Sequence, residues 1–127
     1  MKTLKKQNVL IVGGSRGLGL GVVEALAARD ANVTVIARDA ARLTDLKARL
    51  GVSVIAGDAT DPSLAESAIR EVHPSVLVLN AGATLAMSPL HKQTWESFSR
   101  NWETDVKATF HWIQAALNAH FRGAAAS

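Results

Sequence analysis

Along the first two-thirds of the chain, short unbroken apolar runs alternate with stretches whose apolar residues return every three or four positions. That alternation predicts strands and helices in turn. Asn8 to Val12 (NVLIV) reads as a first strand, and Leu18 to Arg29 sets Leu18, Val22 and Leu26 at helical spacing. Asn32 to Ala37 (NVTVIA) is continuous and rich in β-branched residues, as in a strand covered on both faces. Ala40 to Leu50 predicts a second helix stopped by Gly51, and Val52 to Ala56 a third strand ending at Gly57 and Asp58. Asp61, Pro62 and Glu66 open a third helix with a capping residue, a proline in the first turn and early acid, and it ends before Pro74. Ser75 to Leu79 is the fourth strand. Links this short imply parallel strands, right-handed crossovers and helices on both faces, an α/β three-layer fold with strands ordered 3-2-1-4. Chain reversal between strands 1 and 4 opens a crevice at their carboxyl ends, where ligands bind in such sheets.

After Gly82 the alternation stops. Ala83 to Gln93 reads as a loop, and Thr94 caps a helix over Trp95 to Trp102 that is either short or the first part of a longer one. Val106, Phe110, Ile113, Leu117 and Phe121 form an apolar stripe, which predicts a helix packed on the sheet. All three tryptophans lie in this segment, and packing is the simplest use for them. The small residues from Gly123 to Ser127 predict a frayed tail.

Between the first strand and first helix stands VLIVGGSRGLG, with glycines at Gly13, Gly17 and Gly19. Gly13 lets the chain leave the strand in a conformation that a side chain opposes, Gly17 lets the main chain approach a diphosphate, and Gly19 lets helix and strand pack closely. The helix that follows aims unpaired N–H groups and the positive end of its dipole at the turn, so an anion is the natural occupant. Gly21, inside that helix, costs about 1 kcal/mol relative to alanine and predicts a packing reason.

Composition narrows the class. At 127 residues, with 48% hydrophobic and 20% charged, the chain reads as one globular domain. There is no cysteine, hence no disulfide framework and no thiolate metal site, which fits a cytoplasmic protein. His73, His91, His111 and His120 lack metal-ligand spacing, so no metal is expected. The basic start MKTLKKQN is followed by too few apolar residues for a signal peptide or membrane span. A net charge of +3 comes from scattered basic residues without interleaved aromatics, which argues against a nucleic-acid partner.

These residues resemble the amino-terminal, cofactor-binding half of the short-chain dehydrogenase/reductase family, over Asn8 to about Phe121. GGSRGLG is similar to the family's TGxxxGxG motif, with Val12 where threonine is usual. An acid that bonds the cofactor ribose usually ends the second strand; here Ala37 stands there, followed by Arg38, with Arg16 in the glycine loop. Two guanidinium groups and no carboxylate suit a 2′-phosphate, so the resemblance implies NADP(H) over NAD(H). Asp58 and Ala59 resemble the family's residues beside the adenine ring. Asn80, Ala81 and Gly82 resemble its NAG motif, with Leu79 where another asparagine is common and Asn80 expected to brace the sheet. The resemblance thus implies a Rossmann-like half-fold holding NADP(H) through Gly13, Ser15, Arg16, Gly17, Leu18, Gly19, Arg38, Asp58, Ala59, Asn80, Ala81 and Gly82.

The family transfers hydride between a nicotinamide and a carbonyl or alcohol, and the resemblance implies a serine, a tyrosine and a lysine after the next strand. The sequence contains no tyrosine and stops where that strand is expected, so no catalytic residue is assigned. Asp105 stands in place of the family's helix asparagine, and an ionised aspartate accepts hydrogen bonds without donating them. Lys107 and His111 read as surface residues of the helix. The chain is therefore expected not to catalyse unaided, whether it is a truncated reductase, an NADP(H)-sensing module or a scaffold. Without further strands, strand 4 has an unpaired edge and the helical segment exposes a large apolar patch, so a homodimer or other assembly covering strand 4 and residues 102–121 is expected.

Overall fold

The computed structural model describes residues 3–83 and 87–126, with side chains described as far as residue 120. Four strands, β1 (Asn8–Val12), β2 (Asn32–Ala37), β3 (Ser53–Ala56) and β4 (Val76–Leu79), form one sheet in the order β3-β2-β1-β4. Every pairing is parallel, with Val9 opposite Val33 and Val76, and Val35 opposite Val54. Between the strands run α1 (Gly17–Ala28), α2 (Ala40–Leu50) and α3 (Pro62–Val72), each within a residue or two of its sequence-predicted bounds.

Strand pleating divides the core into two layers. Val9 and Ile11 of β1 join Val33 and Val35 of β2 under Val23 of α1 and Leu43 and Leu46 of α2. Leu10, Val12 and Ile36 point the other way, against Ala65, Ala68 and Ile69 of α3. Helix ends follow the local chemistry. Asp39 caps α2 by accepting from the Arg42 amide, Gly51 closes it at φ +68°, and Asp61 caps α3 by accepting from the Ser63 amide.

The segment after Gly82 is more structured than the expected loop and helix. Leu90–Lys92 forms a 3-10 turn within the stretch read as loop, of which residues 84–86 lie outside the described set. Thr94 caps α4 (Trp95–Asn101) through a reciprocal capping box with Ser97. A π-helical stretch, Trp102–Val106, then leads into α5 (Lys107–Ala126). The backbone of α5 is helical through residues 123–126, where a frayed tail is predicted from sequence, and Ser127 lies outside the described residues.

The predicted stripe faces outward. Val106, Phe110, Ile113 and Leu117 are 44–57% exposed, whereas Ala108, Trp112 and Ala115 pack on the sheet beside α3. Small residues let the helix approach the α3 layer while the one fully buried tryptophan fills the space between them. The side chain of Phe121 lies outside the described set. Gly21 also departs from expectation, since a Cβ there meets nothing within 4 Å and no packing requirement explains it.

Candidate functional site

The crevice lies where the sheet topology predicts, outside the carboxyl ends of β1, β2, β3 and β4. It encloses about 740 Å³ and is lined by the glycine turn, the ends of β2 and β3, the segment after β4, and one side of α4 and α5. Among its walls stand Gly13, Ser15, Arg16, Gly17, Arg38, Asp58, Ala59, Asn80, Ala81 and Gly82. Two other sequence-predicted residues do not line it. Leu18 stands 77% exposed on the first turn of α1, and Gly19 is buried beneath the turn.

The glycines are required for different reasons. Gly13 has φ +90°, and a Cβ on it would lie 2.5 Å from the Ala81 nitrogen. Its neighbour in space is thus the backbone after β4. A Cβ at Gly19 would collide with the Gly13 carbonyl, which is how α1 comes to sit against the end of β1. Gly17 has φ +59° but open space in front of it, the geometry of a backbone surface left bare toward the cleft. Asn80 ties these pieces together. Its Nδ2 donates to the Gly13 carbonyl at 3.1 Å, so the side chain braces the turn against β4 as expected.

The amino end of α1 differs from those of α2, α3 and α4. Arg16 occupies its cap position with no side-chain hydrogen bond, where Asp39, Asp61 and Thr94 cap the other three by accepting from a backbone amide, and no acid in its first turn takes their place. The positive end of the helix therefore meets the cleft without an internal counter-charge.

Around the rim stand four arginines, Arg16, Arg38, Arg42 and Arg100, with two acids, Asp39 and Asp58. The Arg38 guanidinium reaches Asp58 Oδ1 at 3.2 Å, and Arg42 Nε lies 3.3 Å from Asp39 Oδ2. Asp58 Oδ1 also accepts from the Thr60 amide at 2.9 Å and the Thr60 hydroxyl at 2.8 Å. The two Thr60 donors hold the Asp58 carboxyl below its ordinary pKa; burial pushes the other way, and Arg38 adds a lesser downward pull.

Such a glycine turn, an uncapped helix start and an arginine rim belong to dinucleotide-binding sheets. Residues 7–126 match the family model described as short chain dehydrogenase. The chain belongs to the short-chain dehydrogenase family. It is 32% identical over 106 residues to L-xylulose reductase of Homo sapiens, covering 83% of this chain and 43% of that protein. A short chain dehydrogenase from Bacillus anthracis superposes with a TM-score of 0.87 at 19% identity, over 96% of this chain and 53% of that one. A short chain dehydrogenase from Burkholderia cenocepacia, solved in complex with NADP, superposes with a TM-score of 0.76 at 28% identity, over 92% and 52%. The chain thus spans about half the length of these relatives.

Within this short-chain dehydrogenase fold, several cleft residues were not legible from sequence. Arg42 lies one helical turn past Arg38, at the start of α2, and its rim position follows only once the Asp39 cap fixes where that helix begins. Arg100 and Thr104 come from α4 and the π-helical stretch, brought to the cleft by tertiary packing. Trp112 is fully buried and donates from Nε1 to the Ala59 carbonyl at 2.9 Å, so α5 pins the residue next to Asp58. Asp105 is also engaged. Its Oδ1 accepts from the Ala83 amide at 2.8 Å and its Oδ2 from Asn101 at 3.4 Å, which spends the carboxylate on holding the segment after β4. Among the described residues no cluster of three or more potential metal ligands occurs, and no helix is long and apolar enough to cross a membrane.

Proposed function

We propose that the chain is a single dinucleotide-binding domain that holds NADP(H) in the cleft above β1 and β4. The diphosphate takes the bare backbone of Gly13, Ser15 and Gly17 and the open first turn of α1, with Leu18 and Gly19 completing that turn. Arg16 and Arg38 take the 2′-phosphate, and Arg42 adds a third guanidinium within the same rim. Asp58 and Ala59 face the adenine, while Asn80, Ala81 and Gly82 close over the adenosine side. The observation that carries the reading is the coincidence at one rim of Arg16 and Arg38 with a β2 end that offers Ala37 instead of a ribose-binding acid. The NADP complex of the Burkholderia cenocepacia relative supports the choice of ligand.

A bound nicotinamide supplies hydride chemistry, and membership in a dehydrogenase family supports carbonyl and alcohol interconversion as the setting of that chemistry. This chain's own residues bind and orient the cofactor. We assign none of them as proton donor to a substrate: the family's tyrosine has no counterpart in the sequence, and Asp105 is an acceptor already engaged by the Ala83 amide. To the chain alone we assign the role of a cofactor-binding unit without turnover, and the absence of cysteine fits a place in the cytoplasm. Val106, Phe110, Ile113 and Leu117 together with Trp102 leave an exposed apolar face, and β4 has a sheet neighbour on one side only, which together support a homodimer or other assembly over residues 102–121 and β4.

Calorimetric titration with NADPH and NADH tests the ligand assignment. NADPH is expected to bind more tightly, and Arg38→Asp to weaken NADPH by about ten- to a hundredfold more than NADH. Equal losses for both cofactors remove the 2′-phosphate assignment, and binding of neither leaves the scaffold reading.

A further inference from the structure

We propose that Asp58 is a specificity-determining residue that limits the cleft's preference for a 2′-phosphorylated dinucleotide, by engaging the Arg38 guanidinium which that phosphate requires. The proposal rests on the NADP(H) reading above and deepens it. Arg38 and Asp58 sit at the carboxyl ends of adjacent strands, since Ala37 of β2 pairs with Ala56 of β3. The two side chains meet at 3.2 Å across the cleft rim.

The partners are not equally free to move. Asp58 Oδ1 is fixed by both the amide and the hydroxyl of Thr60, two residues on, whereas Arg38 makes its ion pair at the end of a long side chain that is 71% exposed. A phosphate arriving at the rim therefore draws the guanidinium away from a carboxylate that stays behind. The carboxylate also stays charged, because the same Thr60 donors hold its pKa below the ordinary value. Two penalties follow for the phosphorylated ligand alone: partial loss of an ion pair, and approach of a phosphate to a fixed like charge.

The rest of the rim does not relieve this. Arg42 is engaged by Asp39, whose other oxygen caps α2. Arg16 and Arg100 have no ion pair among the described residues; of the two, Arg16 stands in the glycine turn, where it meets the phosphate without first leaving a partner. Asp58 thus sets a moderate preference where the arginine content alone suggests a strong one.

The test is the ratio of NADPH to NADH affinity, in which adenine and diphosphate contacts cancel. Asp58→Asn keeps an oxygen for the Thr60 donors and removes the charge; it is expected to raise the ratio about three- to tenfold at low salt, with the gain shrinking as salt increases. Asp58→Ser, which removes the carboxylate and cannot reach Arg38, is expected to move the ratio the same way. In an Arg38→Ala background the gain from Asp58→Asn is expected to fall to about twofold or less, leaving only like-charge repulsion. A ratio that falls or stays unchanged in both Asp58 variants overturns the proposal, as does a full gain without Arg38. If the unaltered chain binds NADPH no better than NADH, the cofactor reading itself fails; if it prefers NADPH and the Asp58 variants leave that preference unmoved, only this inference fails.

Discussion

The two ends of the polypeptide use apolar residues in opposite senses. In β1 and β2 the apolar run of the sequence goes inward: Val9, Leu10, Ile11 and Val12 are at most 1% exposed, and alternate residues feed the two helical layers. In α5 the conspicuous stripe goes outward, with Leu117 at 50% exposure, and the inward face is built from two alanines and one tryptophan. Periodicity reports that a helix is two-faced without saying which face the monomer covers. Where a parallel sheet supplies both covered surfaces the answer is unambiguous; at a helix with an unpartnered side it is not.

Removing the inward anchor breaks the contrast most severely. Trp112→Ala deletes what is, among the described residues, the one large side chain of α5 that is buried, together with its bond to the Ala59 carbonyl, and is expected to cost about 3–5 kcal/mol of stability by denaturant unfolding. A loss below about 1 kcal/mol contradicts the assignment of α5's inward face.

The glycine turn gives the next largest effect and sharpens the account within the sheet half. Gly13→Ala places a methyl against the Ala81 backbone at positive φ, whereas Gly17→Ala meets open space at positive φ. Thermal unfolding is expected to show a loss of about 1–2 kcal/mol for Gly17→Ala from conformation alone, and a clearly larger loss for Gly13→Ala. Similar losses contradict the close approach of β1's end to the segment after β4. The two variants also differ in meaning, since Gly17→Ala is expected to lose cofactor affinity out of proportion to its effect on stability.

The outward stripe gives the smallest effect on stability and the clearest on assembly. Ile113→Glu with Leu117→Glu is expected to change the unfolding free energy of the monomer by no more than about 0.5 kcal/mol per site. In sedimentation velocity the same pair is expected to convert a dimer to monomer. Dimers that survive both substitutions place the interface elsewhere.

How much of this was legible beforehand follows the same division. Strand order, helix bounds and the Asp61 and Thr94 caps came through because short links, proline and capping residues act within a few positions of one another. Ten of the twelve candidate site residues line the cleft: the glycine turn places Gly13, Ser15, Arg16 and Gly17 locally, and parallel pairing brings the ends of β2, β3 and β4 to the same edge of the sheet. Leu18 and Gly19 stand outside the cleft wall, exposed on the first turn of α1 and buried beneath it, because a place in the motif says nothing of which way that turn faces. Arg42, Arg100 and the Trp112 anchor depend on helix placement over long sequence separations, and no local signal carries that. The Arg38–Asp58 pair was hidden for a related reason: each residue was recognisable singly as a ligand contact, and only strand adjacency makes them partners.

The central claim is that a dinucleotide diphosphate rests on the bare turn at the start of α1 with its 2′-phosphate on the arginine rim. The most direct measurement is a crystal structure of the chain grown with NADP+. Density for the diphosphate against Gly13 to Gly17, with the 2′-phosphate within hydrogen-bond distance of Arg16 or Arg38, is the expected result. A cofactor bound elsewhere, or with its 2′-phosphate turned away from both arginines, contradicts the account.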